Sequence, residues 1–415
     1  MHDSTSTSSH HAFADIMFAR VAPEDIAQYA PASLAALAEE AQARLAAPRL
    51  HDRAEVRVYD PQSSDDPALN RITVIEALNA DMPFLLDSTL AELAELGLDL
   101  RLVAHPVLAV ERDADGRLLS ARDGADAEGA RRESLIHIHV ARIVDPARRA
   151  RVVEQLEKVF ADVRVAVADW RKMRDRVAAT AAAYKADPPP LPVDEIAEAV
   201  QFLEWLAADN FTFLGLREYR FIEGAAAADG ARSTLDAIGG PGFGILRDPE
   251  VKVLRRGAEL VTITPEVMEF LREPHALIIA KANVRSRVHR RAHMDYIGVK
   301  LFSKSGALQG ELRLVGLFTA TAYTRSTQTI PYIRHKVARV LESADLDPES
   351  HSGKVLVNVL ESYPRDELFQ VDAGTLANFA SQIALLYERP RLRVLARADK
   401  FDRFVSIICY IPRDR

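Results

Sequence analysis

One cysteine, Cys409, stands in a chain of 415 residues. It cannot form an internal disulfide, which points to a reducing compartment and the cytoplasm. Its place in the apolar run VSIICYI suggests a buried, inert thiol rather than a nucleophile. A basic excess is also lacking: the formal net charge of -7 argues against a dedicated nucleic-acid binder. No apolar run approaches a membrane span, and the first twenty residues hold no apolar core of signal-peptide length. A phosphate-cradling loop is missing too. The glycine run 239–244 (GGPGFG) lacks the G-x-G-x-x-G spacing, and the ILRDP after it is a poor helix start, so a plain loop is expected there. No Ser-His-Asp set and no paired-carboxylate motif stands out.

What remains is an ordinary globular composition, 48% hydrophobic and 27% charged, in a chain long enough for two or three domains. Residues 1–50 are expected to be a polar tail and an Ala/Leu-rich helix, with Leu34, Leu37 and Leu45 on its apolar side. A first domain follows at 51–186. Strands are expected at 56–59 and 71–77 (RITVIEA), then a helix from Asp81-Met82-Pro83-Phe84 with Asp81 as cap and Pro83 in the first turn. Leu86, Leu90, Leu93 and Leu96 recur at helical spacing, and Gly97 stops the helix. A strand interrupted by Pro106, a turn at Asp115-Gly116 and a strand at 134–143 complete a β, α, β, β order. A long helix starts at Pro146. The run Val163, Val165, Val167 suits a strand as well, but the helical stripe continues through Trp170, Met173 and Val177.

The proline run at 187–193 is a stiff linker and marks a boundary. Residues 194–325 are expected to form an antiparallel sheet with helices on one side, a PAS-like α+β arrangement. A helix is expected at 194–208 and strands at 211–221, 251–254 and 260–264, then a helix at 265–272. The strands around 275–281, 296–302 and 310–319 follow, the last two joined by a turn at Lys304-Ser305-Gly306. Residues 326–390 are helical, with helices from Ile330, from Pro364 and through Leu376 and Ile383. Residues 391–415 hold a strand pair.

Two regions are candidates for function. The first strand-to-helix joint, with Asp81, Met82, Phe84, Asp87 and Ser88, resembles that of an ACT domain, a ferredoxin-like module that often binds amino acids. Such joints usually carry glycine where this chain has Phe84, which favours packing or subunit contact over ligand binding. The second is a basic loop with Arg285, Arg287, His289, Arg290, Arg291 and His293, flanked by Lys281 and Lys300 around the single acid Asp295. It suits an anion, an acidic protein surface or an inter-domain contact, and equally a solvated hairpin loop. The pairs His137/His139 and His289/His293 lack a third ligand at a characteristic spacing, so hydrogen-bonded or solvated histidines are expected rather than a metal site.

Six segments then carry a resemblance: RESLIHIHVARI (132–143), NFTFLGLREY (210–219), VHRRAHMDYIGVK (288–300), GELRLVGLFT (310–319), ESYPRDELFQ (361–370) and RFVSIICYIPRDR (403–415). In this order they resemble the N-terminal part of the large bacterial NAD-specific glutamate dehydrogenases. The resemblance implies a very large cytoplasmic, oligomeric enzyme that oxidises L-glutamate to 2-oxoglutarate and ammonium with NAD. It also implies a catalytic region far downstream, so that this chain is a fragment holding ACT-type and PAS-type regulatory modules, with 391–415 opening a second, truncated ACT-like one. NAD serves the whole enzyme and none is expected on this chain. The partners expected are the downstream catalytic region, further copies of the chain and an amino-acid effector. The competing readings are a free-standing ACT-type amino-acid sensor and, more remotely, a metal-dependent hydrolase on His289, His293 and Asp295.

Overall fold

The computed structural model describes residues 13–49, 53–61, 66–124, 131–223, 235–251, 273–347, 349–399 and 404–412. They fall into two compact units, one running through Val167 with Ser286–Arg291 added, the other comprising Ala168–Arg285 and the residues from Ala292 onward. The polar tail, the small-residue insertion at 224–231, the helix expected at 265–272 and, past Val251, the strands expected at 251–254 and 260–264 lie outside the described residues. The structure is α+β with antiparallel sheets.

Unit one is built on strands β1 (Glu55–Tyr59), β2 (Ile72–Ala80), β3 (Leu100–Ala104), β4 (Val107–Arg112), β5 (Leu118–Asp123) and β6 (Arg132–Ala141). The order is β1-β2-β6-β4-β5, with β3 also on β6. β3 and β4 form one interrupted rail along β6, Leu100 opposite Val140 and Ala109 opposite Arg132. The break falls at Pro106, which has no N–H to give to a ladder. β5 has no counterpart in the sequence reading, because a half-exposed edge strand shows little periodicity.

Central strands β2 and β6 are buried on both faces, which is why they read as continuous apolar runs. One face carries Ile72, Val74 and Leu78 with Leu135. It shares a core with Leu34, Leu37, Ala38, Ala41 and Leu45 of helix α1 (Pro31–Ala46) and with Phe13 and Met17. The helix of the N-terminal segment is therefore a layer of this unit, packed through Leu34, Leu37 and Leu45. On that same face Glu76 is fully buried, and its carboxylate accepts from Arg44 (3.1 Å), Arg57 (2.8 Å), Tyr59 (3.1 Å) and His137 Nδ1 (2.8 Å).

Helix α2 (Leu85–Glu95) begins later than expected. Asp81 does not cap it: the N-cap is Phe84, which makes no side-chain cap bond, and Pro83 precedes the helix instead of lying in its first turn. Gly97, at φ 63°, ends it as anticipated. Helix α3 (Pro146–Ala186) keeps its helical stripe for 41 residues, so the valines at 163, 165 and 167 are helical. Its residues through Val167 belong to unit one and the rest to unit two.

Unit two opens with helix α4 (Val193–Trp205) and holds a five-stranded antiparallel sheet. Strands β7 (Phe211–Glu223), β8 (Leu235–Gly244), β9 (Leu277–Arg285), β10 (His293–Phe302) and β11 (Leu308–Phe318) are ordered β8-β7-β11-β10-β9. The turn at Lys304-Ser305-Gly306, with Gly306 at φ 80°, joins β10 to β11 as its residues predict. The glycine run at 239–244 is not a loop but the end of edge strand β8. Glycine is needed because a Cβ at Gly242 would strike the Leu246 carbonyl and one at Gly244 the Leu214 carbonyl.

Helices α5 (Ile333–Ser343), α6 (His351–Ser362), α7 (Arg365–Gln370) and α8 (Ala373–Glu388) share one core with this sheet. Phe318 of β11 stacks on Phe369 of α7 with ring centroids 4.2 Å apart, and Trp205 and Phe202 of α4 border the same ring. Strands β12 (Arg393–Ala398) and β13 (Val405–Tyr410) pair antiparallel, with Leu395 buried in that core. Cys409 is exposed, not buried: residues alternate along β13, and Cys409 falls on the outward side with Val405 and Ile407.

Arg112 binds Glu133 in unit one by a bidentate pair of bonds at 2.8 and 2.7 Å, sealed from solvent. The same guanidinium donates to the carbonyls of Leu45, Ala47 and Gly116, joining the end of α1 to the β4–β5 turn. Replacing Arg112 by Met removes the bidentate pair from Glu133 and leaves the longer Arg49 contact at 3.4 Å in place. Removing one partner of a buried ion pair is expected to destabilise unit one by about 3 kcal/mol, read as a lower urea midpoint at unchanged slope.

Candidate functional site

The strand-to-helix joint between β2 and α2 is where the two sequence-predicted residue sets meet. Phe84 ends the turn in the left-handed region, φ 74°, so that the α2 N-terminus opens with Asp87 and Ser88 in its first turn. Into this opening comes the segment Ser286–Arg291, which belongs to unit one. Ser286 and Val288 are buried, and the Ser286 hydroxyl donates to the Val288 carbonyl at 2.7 Å and accepts from the Val288 N–H at 3.0 Å, folding the segment on itself. His289 then takes φ 67° and donates its backbone N–H to the Ser88 hydroxyl at 2.8 Å. Its ring lies 5.1 Å from the Phe84 ring, and its Nδ1 is 3.2 Å from the Asp87 carboxylate. Two non-glycine residues in the left-handed region thus face one another, a conformation that costs about 1–2 kcal/mol per residue.

The neighbouring cations are matched to carboxylates of the same unit. Arg291 reaches Glu92 at 3.1 Å and Arg287 reaches Asp162 at 3.2 Å. Of the joint residues named from sequence, Phe84, Asp87 and Ser88 contact the segment. Asp81 instead gives its backbone N–H to the Arg132 carbonyl and bears electrostatically on His105, whose ring is held below its ordinary pKa mainly by burial. Met82 is half-buried beside it. Arg290 lies on the exposed side of the segment. Arg285 and His293 are opposite one another at the ends of β9 and β10 in unit two, and His293 faces the Ala282 carbonyl at 3.1 Å.

Lys281 and Lys300 do not belong to a surface patch. Lys281 is clamped between Asp295 (2.6 Å) and Asp366 (3.1 Å) inside unit two, and the Lys300 ammonium donates to the Glu273 carbonyl. Burial pushes Asp295 up to about 6. Lys281 opposes that shift, and Asp366, which shares the same ammonium, adds to it. Glu92 and Asp162, the acceptors of the basic segment, were missed from sequence because each is an ordinary helical acid until the fold brings an arginine to it. Glu76 left a fainter signal, a lone acid in the buried run RITVIEA.

His137 and His139 are hydrogen-bonded core histidines. Their Nε2 atoms are 2.9 Å apart, and His137 Nδ1 faces Glu76. With Glu76 accepting from His137 Nδ1–H, the shared proton comes from His139 Nε2–H, and His139 Nδ1 has no partner among the described residues. No group of three or more His, Cys, Asp or Glu among the described residues could hold a metal. Burial drives His139 down to about 2, with His137 adding to the shift. Burial raises Glu76, yet the His137 and Arg57 bonds outweigh it and hold the carboxyl well below its usual range.

A family model described as glutamate dehydrogenase, ACT1 domain, matches residues 13–156, and one described as glutamate dehydrogenase, helical motif 1, matches residues 330–389. The chain is 36% identical over 364 residues to an NAD-specific glutamate dehydrogenase of Halomonas elongata, an alignment covering 87% of this chain. It is 34% identical over 366 residues to that of Pseudomonas aeruginosa, covering 88%, and 30% identical over 399 residues to that of Mycobacterium tuberculosis, covering 94%. In each case the alignment takes in 22% of the relative, so the chain spans about a fifth of the length of the proteins it matches.

Both depressed groups beside β6 give the same sign for acid. A native His139 that refuses a proton stabilises the fold above the ordinary imidazole value of 6.5, and that stability is lost as pH falls below it toward about 2. Unit one should therefore lose stability on acidification from pH 7, starting near 6.5. The His139 ring should keep neutral-form NMR shifts to pH 4, and His139→Phe should flatten the part of the thermal-midpoint profile that begins near 6.5.

Proposed function

We propose that the chain is the N-terminal regulatory and oligomer-building region of an NAD-specific glutamate dehydrogenase, a reading supported by its match to the ACT1 and helical motif models and by its similarity to about a fifth of the length of such enzymes. The whole protein would convert L-glutamate, NAD and water to 2-oxoglutarate, ammonium and NADH in the cytoplasm. Hydride transfer would be carried out by the four-fifths of the relatives' length that the chain does not span. The observation that carries this reading is the pairing of an ACT1 domain match with a geometry specialised at the ACT joint, where Phe84 and His289 hold left-handed conformations against each other. Strain of this kind collects at clamps and switches.

In this reading the five-stranded sheet of unit two is a PAS-like module and β12–β13 open a second ACT-like one. Support for the latter is their outward face, where Val394, Val405 and Ile407 are more than half exposed on a sheet of two strands, too few to be stable without further packing. The joint residues Asp81, Met82, Phe84, Asp87 and Ser88 would transmit the state of an effector or of a neighbouring subunit. No helix among the described residues is long and apolar enough to cross a membrane.

The purified chain is expected to form no NADH from L-glutamate and NAD, followed at 340 nm, while the full-length polypeptide does so and sediments as an oligomer. Turnover by the chain alone would sink the proposal. A full-length protein that stays monomeric at working concentration would remove its oligomer-building half.

A further inference from the structure

The Ser286–Arg291 segment meets the joint in the manner of a bound ligand. It offers donors and cations: a backbone N–H to the Ser88 hydroxyl, an imidazole to Asp87 and a guanidinium to Glu92. The joint meets them with acceptors, all on α2 between its first turn and its third. The fit extends to apolar surface, since Val288 is buried and the His289 and Phe84 rings are in contact. Ser88 itself is 1% exposed, so the position where a ligand's backbone would approach α2 is filled. The segment also carries its own fold, through the reciprocal Ser286–Val288 bonds, and so arrives pre-shaped.

We infer that Ser286–Arg291 is a tethered ligand of the β2–α2 joint, which therefore takes a free ligand only when the segment withdraws. The free ligand must bring the same chemistry, an N–H donor for Ser88 beside a second donor for Asp87, as a basic peptide or an amine-bearing amino acid does. Phe84 is then not a misfit at a glycine position. It closes one side of the place where His289 sits, and the left-handed turn that glycine usually supplies is held by the contact itself. The inference deepens the regulatory reading and rests on it for its consequence, though not for its geometry.

The test uses the full 415-residue chain and a variant in which residues 287–290 are replaced by Gly-Ser-Gly-Ser. The probe is the capped peptide Ser-Arg-Val-His-Arg-Arg supplied in trans. The intact chain should not bind it. The replaced chain should bind it saturably, and Ser88→Ala in that background should weaken binding by roughly tenfold or more. Amide hydrogen exchange at 85–89 should be faster in the replaced chain, and the His289 amide should lose protection in Ser88→Ala of the intact chain. Equal peptide binding by both chains, or unchanged exchange at 85–89, overturns the inference. Faster exchange supports it even where the peptide, freed from its tether, binds too weakly to measure. In the full-length enzyme, an opened joint with unaltered glutamate-dependent NAD reduction would count against the regulatory reading while leaving the tethered ligand in place.

Discussion

The Glu76 carboxylate is the interaction on which unit one depends. A carboxylate with no solvent exposure in the middle of a sheet is tolerable only if its charge is met from several sides. Here it is met by α1 through Arg44, by β1 through Arg57 and Tyr59, and by β6 through His137. Four elements are thereby held in one arrangement by a single side chain. The apolar contacts of α1 supply the burial, but they are non-directional, and the bonds to Glu76 set which turn of the helix faces which strand. A second buried acid, Glu133, acts at the same C-terminal end of α1 through Arg112, which also donates to the Leu45 carbonyl.

With β2 and β6 fixed in this way, the joint after β2 has a defined place and its odd chemistry becomes readable. A helix start usually satisfies its first amides with a polar N-cap. This one begins instead with a left-handed Phe84 that makes no cap bond, and Ser88 spends its hydroxyl on a residue two hundred positions away. Local stability has been given up at α2 for a contact with Ser286–Arg291. Unit two has a comparable helix start at Tyr332, which stands at φ 65° before α5 without a cap bond and gives its N–H to Glu198 and its hydroxyl to Glu195. Its aromatic core around Phe318, Phe369, Trp205 and Phe202 draws on both the sheet and the helices after it.

Much was legible because it depends on periodicity and punctuation. The 3.6-residue stripe carried α3 through its valines, Pro106 broke the β3–β4 rail, and Gly97 and the Lys304-Ser305-Gly306 turn ended elements where they should. The errors share a cause. Asp81 seemed a cap and residues 239–244 a loop because residue type was read without its neighbours. What decides both is steric: Pro83 and Phe84 occupy the turn before the helix, and the glycines of β8 admit the Leu246 and Leu214 carbonyls. An apolar run such as VSIICYI reads as buried on both faces, whereas β13 is half-buried on one and exposed on the other, where Cys409 lies.

By itself the sequence determined the α+β class, most of the helices and strands, and the resemblance to a family, since these follow from local patterns and from six long segments in order. It also marked the joint and the basic stretch as the two unusual places. Only the tertiary structure decided that they are one place. The reason is physical: hydrogen bonds and ion pairs between residues 87–92 and 286–291 leave no periodicity and no spacing rule in a chain, because such partners are chosen by where the fold brings their atoms.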